Sequence, residues 1–229
     1  MSSVQPLYLP PVYQDAADSG RIILRDGTTA TIRVAVPSDF PALQVFFSHL
    51  SLESRVHRFF SPNLPRPELV QEMCDPSDPH KQLTLLVERT FDGEPTVIAV
   101  ASYYAQRGQK GLTAEAAFAV ADAFQGKGIG SLLLERLAVI AVRHGIQHFW
   151  AVPHADNRGM IEVFKQSGFP VKTKWDGSDI AFDMAVIPSE TSVARYERRD
   201  RVATIASVRP IFQPQSIAII GASRSPSSP

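Results

Sequence analysis

Three glycines alternate along Gln125-Gly126-Lys127-Gly128-Ile129-Gly130, between a small apolar run and the longest helical pattern of the chain. Residues 113–120 upstream read as a strand of small apolar side chains interrupted by Glu115. Downstream, a helix is expected over 125–144. Ile129, Leu132, Leu133, Leu137, Ile140 and Ala141 recur there at helical spacing, and Gly145 reads as a left-handed cap. Alternating glycines let a backbone approach an anion closely and turn successive N–H groups toward it. The helix that starts there adds unpaired N–H groups and the positive end of its dipole. A diphosphate carries the charge such a turn suits, each N–H to a charged oxygen contributing about 1.5–3 kcal/mol.

Nucleotide motifs fit poorly. A P-loop needs a hydroxyl residue after its lysine, and Lys127 is followed by Gly128. The dinucleotide fingerprint wants its third glycine one residue later, and an acid about 20 residues on, where His144 and Gly145 stand. A glycine turn with no ligand is the lesser alternative on the motif taken alone.

The rest of the chain frames the turn. Apolar runs on both sides of Asp26-Gly27 predict a hairpin, and Asp92-Gly93 predicts a second between strands at 83–88 and 96–104. Helices are expected from about Ser38 or Asp39, with Leu43, Phe46, Phe47 and Leu50 inward, and over 52–60 and 65–73. After the long helix come a strand at 146–152, a helix at 157–166 stopped by Gly168, and strands at 169–174 and 180–186. Hairpins first and β-α-β-α-β later predict one mixed α/β sheet with helices on both faces.

Lys plus Arg equal Asp plus Glu at 23 each, so bulk charge argues for neither nucleic acid nor an anionic membrane, though a local basic patch remains open. With 44% hydrophobic and 20% charged residues the chain suits a soluble domain with a full core. No signal peptide is evident, and no apolar stretch approaches the ~20 residues needed to cross a bilayer, so the cytoplasm is the default. Cys74, the single cysteine, has no basic neighbour in sequence and reads as an unreactive packing thiol.

Gln-x-x-Gly-x-Gly between a strand and a long helix resembles motif A of the GNAT N-acetyltransferase superfamily. The block Asn157-Arg158-Gly159-Met160 through Phe164-Lys165-Gln166-Ser167-Gly168-Phe169 resembles the family's next helix and its Gly-Phe ending. The likeness runs roughly from Ile22 to Ile187. It implies the GNAT fold, a mostly antiparallel mixed sheet splayed near its middle, with acetyl-CoA as co-substrate and no metal. By resemblance, the backbone of Gln125, Gly126, Lys127, Gly128, Ile129 and Gly130, followed by Ser131, holds the CoA diphosphate. The strand end Phe118-Ala119-Val120 pairs with the pantetheine arm, the Val120 N–H faces the thioester oxygen, and Asn157 contacts the arm from the next helix.

A narrower resemblance follows from Leu24-Arg25-Asp26-Gly27, Leu50-Ser51-Leu52-Glu53-Ser54-Arg55 and Arg58-Phe59-Phe60. These look like the acetyltransferase domain of bacterial Pat-type protein lysine acetyltransferases, a family in which that domain can be fused to an ADP-forming acyl-CoA-synthetase-like region. The tail Ser216-Ile217-Ala218-Ile219-Ile220-Gly221-Ala222-Ser223 is similar to the opening of that region. The expected organisation is a loose arm over 1–19, the acetyltransferase domain over 20–188, a linker, solvated or helical, over 189–207, and over 208–229 the start of a CoA-binding domain, so that the chain reads as cut from a longer one.

A lysine amine with a pKa of about 10.4 must lose a proton before it can attack a thioester. Glu115, among Ala114, Ala116 and Ala117, is the best base, and partial burial there is expected to improve it. The Pat resemblance places the family's catalytic glutamate at this position. A sheet-face glutamate paired with a cation is the alternative. Many family members use a tyrosine where Phe164 stands, so the general acid is open; a thiol of pKa about 8.5 leaves adequately as an anion. The six histidines show no defensible metal spacing, and His154 reads as an exposed loop residue. Arg55 and Arg58 read as a solvated helix face, with a lining of the acceptor side as the alternative, and Trp150 and Trp175 as packing residues.

The leading expectation is acetylation of lysines on partner proteins, an acyl-CoA synthetase being the family-typical one. Acetylation of a small amine, and an acyl-CoA-sensing module without a base, stay open. Oligomeric state, acceptor and acyl-chain preference are not legible in the chain.

Overall fold

The computed structural model describes residues 19–106, 113–176, 179–187 and 189–214. Its centre is an eight-stranded sheet in the order β1-β2-β3-β4-β5-β6-β8-β7. The strands are β1 (Ser19–Ile23), β2 (Thr29–Val34), β3 (Gln82–Phe91), β4 (Glu94–Ala105), β5 (Thr113–Val120), β6 (His148–Ala151), β7 (Val171–Asp176) and β8 (Asp179–Ala185). Every neighbouring pair is antiparallel except β5 and β6. Both Asp-Gly turns join strands as the sequence predicts, with Gly27 at φ 82° and Gly93 at φ 89°.

Six α-helices among the described residues cover the faces. α1 (Phe40–His49), α2 (Leu52–Phe59) and α3 (Pro67–Met73) precede β3; α4 (Ile129–Arg143) links β5 to β6, α5 (Arg158–Gln166) follows β6, and α6 (Glu190–Phe212) follows β8. Strand alternation divides the core between the two sheet faces. On one face Leu133, Leu137, Phe164, Phe182 and Met184 join Leu85, Ala101, Tyr103 and Phe149 beneath α4 and α5. On the other Leu43, Phe47, Val70 and Met73 pack on Leu86 and Val100. Trp150 is half-buried, but Trp175 is 68% exposed and packs little, contrary to expectation.

The helix ends are locally determined. Asp39 stands at the start of α1 but makes no side-chain cap. Instead its carboxylate takes Arg33 Nη1 and Nη2 at 2.6 and 2.7 Å and the Val36 N–H at 2.8 Å. Ser51 caps α2 by accepting the Ser54 N–H, and Phe60 ends it in the left-handed region. α4 begins at Ile129 rather than at Gln125, because Gly126 (φ 72°) and Gly128 (φ 83°) keep the loop out of the helix. It ends before Gly145 at φ 82°, as predicted.

Residues 190–212 form one continuous helix, so the expected division at 207/208 falls inside α6. Arg199 of α6 is ion-paired with Glu135 of α4, a carboxylate only 4% exposed. Arg195 donates to the Gln166 carbonyl at 2.6 Å, covering the last turn of α5. Of the linker and the helix that the sequence left open over this span, the structure has a helix docked on α4 and α5. The arm at residues 1–18 and the apolar run at 217–221 lie outside the described residues.

Candidate active site

β5 is paired with β4 along Ala114 to Val120, yet its ladder to β6 covers only Thr113, Ala114 and Glu115 against His148, Phe149 and Trp150. Beyond Glu115 the two strands part, leaving residues 116–120 with no strand on that side among the described residues. In an antiparallel ladder, alternate residues send their N–H and C=O to the same neighbour. The Ala121 N–H goes to Ile98 on β4 and the Thr113 carbonyl accepts from Gln106, so odd-numbered residues of β5 face β4. Phe118 and Val120 consequently present their backbone groups to the gap. Ala119 turns its backbone to β4 and buries its methyl in the core.

The glycine loop closes the far end of the gap. Gly128 stands at the N-cap of α4 without a side-chain cap, so the first-turn N–H groups of the helix face outward. A Cβ on Gly126 would meet nothing within 4 Å, and one on Gly128 would approach only Arg25 Cβ, at 3.7 Å. These two glycines serve the positive φ of the turn. Gly130 serves packing, with Val163 of α5 3.4 Å from where its Cβ would stand. Ile129 is buried in the core, so only its backbone is available. Gln125 spans the mouth of the gap, its Nε2 donating to the Val120 carbonyl and to Ser54 Oγ, both at 3.1 Å.

A cavity of about 750 Å³ opens beside Lys127, Gly128 and Ser131, between β1, α4 and α6. Arg25, Arg136, Arg195 and Arg198 line it, so the local basic patch that composition left open stands next to the loop. The Arg25 N–H donates to the Lys127 carbonyl at 3.3 Å, and Lys127 Nζ is 3.5 Å from Asp26. Backbone donors, a helix mouth and clustered cations suit the diphosphate of CoA, and an open strand edge suits its amide-bearing arm.

α2 crosses the open end of the gap from one loop to the other. At its start Asp122 accepts from the Ser51 N–H, Ser51 Oγ and Ser54 Oγ at 3.0, 2.7 and 2.7 Å. Burial acts to raise the Asp122 carboxyl; those hydrogen bonds outweigh it and hold the group below its ordinary range. At the other end His57 Nε2 bonds Asp156 at 2.7 Å, just before Asn157. Asn157 uses its Oδ1 to accept the Met160 N–H at 3.0 Å, capping α5.

Glu115 is exposed, contrary to the partial burial expected of it. Its cross-strand partner is Tyr104, whose hydroxyl is buried without a hydrogen bond of good geometry. Arg58 is also turned inward. Burial pushes its guanidinium below the ordinary arginine range, and the neighbouring Tyr104 and Glu115 oppose that shift. The solvated helix face expected at Arg58 is thus corrected, and Arg58 and Tyr104 join Glu115 on one face of the sheet. Arg58 belongs to the Arg58-Phe59-Phe60 block of the sequence, whereas Tyr104, in a strand buried almost throughout, has no sequence signal of its own. Phe164 is fully enclosed, 6.0 Å from the Phe118 ring centroid.

A sheet parting beside a glycine loop at a helix mouth defines an acyl-CoA-dependent transferase of GNAT type. Residues 50–169 match the acetyltransferase (GNAT) family, and the chain belongs to it. Within that family it is Pat-like. It is 28% identical to acetyltransferase Pat of Mycolicibacterium smegmatis over 192 residues, which is 83% of this chain and 56% of that protein. An acetyltransferase of Pseudomonas aeruginosa is 28% identical over 149 residues, 64% of this chain and 77% of the relative. The GNAT domain of S. lividans PAT superposes with a TM-score of 0.66 at 29% identity, covering 78% of this chain and 99% of that one. The chain thus spans little more than half the length of the M. smegmatis relative. Acetyl-CoA is the acyl donor of this family. No helix among the described residues is long and apolar enough to cross a membrane.

Proposed function

We propose that the chain acetylates the Nε of lysines on partner proteins in the cytoplasm, by direct attack on acetyl-CoA within a ternary complex. The observation that carries this reading is Glu115, exposed where β5 and β6 part and next to the edge of β5 that no described strand covers. Gln125 to Ser131 hold the diphosphate, and the cations beside Lys127 attract the anionic end of the cofactor. Phe118 and Val120 align the arm through backbone hydrogen bonds, and Asn157 meets it from the mouth of α5. The Val120 N–H faces the thioester oxygen as charge develops there.

Glu115 takes the proton that the lysine ammonium loses. The amine nitrogen forms the new N–C bond, the C–S bond breaks with CoA leaving as thiolate, and the second proton that the nitrogen sheds passes through water to that thiolate. An exposed base suits a lysine presented on a protein surface better than a small amine in a closed pocket. The likeness to Pat supports a protein acceptor, and an acyl-CoA synthetase is the one proposed.

The test compares the parent chain with Glu115→Gln on lysine-bearing proteins, by mass spectrometry of acetyl-lysine and calorimetry of acetyl-CoA binding. Turnover is expected to fall about 10²–10⁴-fold with cofactor affinity retained. Equal acetylation by both removes Glu115 from the mechanism; binding without acetylation by either makes the chain an acyl-CoA sensor.

A further inference from the structure

His57, on the last turn of α2, meets His154 and Asp156 of the β6–α5 loop. His57 Nε2 lies 2.7 Å and His154 Nδ1 2.6 Å from the same Asp156 oxygen, and the three donor atoms fall within 4.8 Å of one another. The loop that presents His154 and Asp156 is fixed by its own backbone. The Asn157 N–H donates to the His154 carbonyl at 2.9 Å and the Arg158 N–H to the Asp156 carbonyl at 2.7 Å. Phe60, its ring centroid 6.4 Å from that of His154, walls one side. His57, only 16% exposed at its side chain, closes another.

Two imidazole nitrogens and a carboxylate oxygen converging from two elements are a transition-metal donor set. Hard cations such as Mg²⁺ and Ca²⁺ call for oxygen ligands, whereas two nitrogens with one carboxylate suit Zn²⁺ with its fourth position open. Zinc bonds of about 2.0–2.2 Å set neighbouring tetrahedral donors roughly 3.3–3.5 Å apart, wider than the 2.6 and 2.7 Å that each histidine keeps from Asp156 and within the 4.8 Å that bounds the three donors. Side-chain rotation is then enough to seat the ion.

We propose that His57, His154 and Asp156 form a Zn²⁺ site that fastens the end of α2 to the loop before Asn157. Its place is across the mouth of the β5–β6 gap, where a metal tie holds α2 over bound cofactor.

The experiment titrates Co²⁺, then Zn²⁺, into the untagged full chain and follows the visible d–d bands. The parent and His49→Ala, whose histidine lies at the far end of α1, are expected to bind one Co²⁺ with tetrahedral band intensity, displaced by Zn²⁺. His57→Ala and His154→Ala are expected to weaken binding about tenfold or more, with far-ultraviolet circular dichroism and a cooperative melting transition confirming their fold. If either alanine variant unfolds, Asp156→Asn, at a side chain 65% exposed, removes the anionic donor without changing shape and must weaken Co²⁺ binding as well. Folded parent without d–d bands, or a titration that the variants leave unchanged, overturns the site.

Discussion

Ser54 and Gln125, separated by 71 positions in sequence, are joined by a 3.1 Å hydrogen bond from Gln125 Nε2 to Ser54 Oγ. The bond ties α2 to the glycine loop while the same amide holds the last carbonyl of β5. Gln125→Ala releases both, so acetyl-CoA affinity should fall about tenfold, about 1.4 kcal/mol, with little change in melting temperature. Ser54→Ala keeps the Val120 contact and should lose less. Calorimetry on the two variants checks the order.

Gly27 supports α6 as well as its hairpin. A Cβ there would stand 2.7 Å from the backbone carbonyl of Ala206, at a φ of 82°. Gly93 has a similar φ of 89° but nothing within 4 Å. Both alanine variants should lose about 1–2 kcal/mol from left-handed strain. Hydrogen exchange over 190–212 should rise only in Gly27→Ala, because only there must α6 move.

Arg33 lies between Asp39 and Glu88, with ion-pair contacts of 2.6 Å to each. Burial acts to raise the Asp39 carboxyl, but Arg33 and the Val36 N–H outweigh it and hold the group below the ordinary carboxylate range. Because the folded value is depressed, the contribution is present above the unfolded value of about 3.9 and is lost as pH falls through the folded one. Asp39→Asn should therefore cost about 1–3 kcal/mol at neutral pH, and its gap from the parent should close in acid. Urea titrations at both pH values measure it.

Cys74 is 1% exposed, and its thiol is pushed up to about 11, first by burial and then by the charge of Asp39. At pH 8 only about one thiol in a thousand is ionised, so the folded chain should resist a thiol-disulfide reagent and react fully once denatured. Rapid labelling of native protein would contradict the packing seen here.

The readable features of this sequence are local ones. A hairpin follows from Asp-Gly because the turn needs positive φ, and α4 follows from apolar residues at helical spacing. The glycine loop was legible for the same reason, although the helix starts later than the pattern suggested. Glu115 stood out as a lone carboxylate in a small apolar strand, yet its exposure depends on the parting of β5 and β6, which no single strand encodes.

By itself, then, the sequence determined the strands, the glycine turn and the mixed α/β class, because each is written in contacts a few residues apart. Tertiary structure alone decided that Arg58 faces Glu115, that Arg199 reaches Glu135, and that His57 meets Asp156 across 99 positions. Such pairs depend on how whole elements pack. The same arginine on a helix faces water or a carboxylate according to the sheet beneath it, and side-chain spacing within the helix carries no record of which.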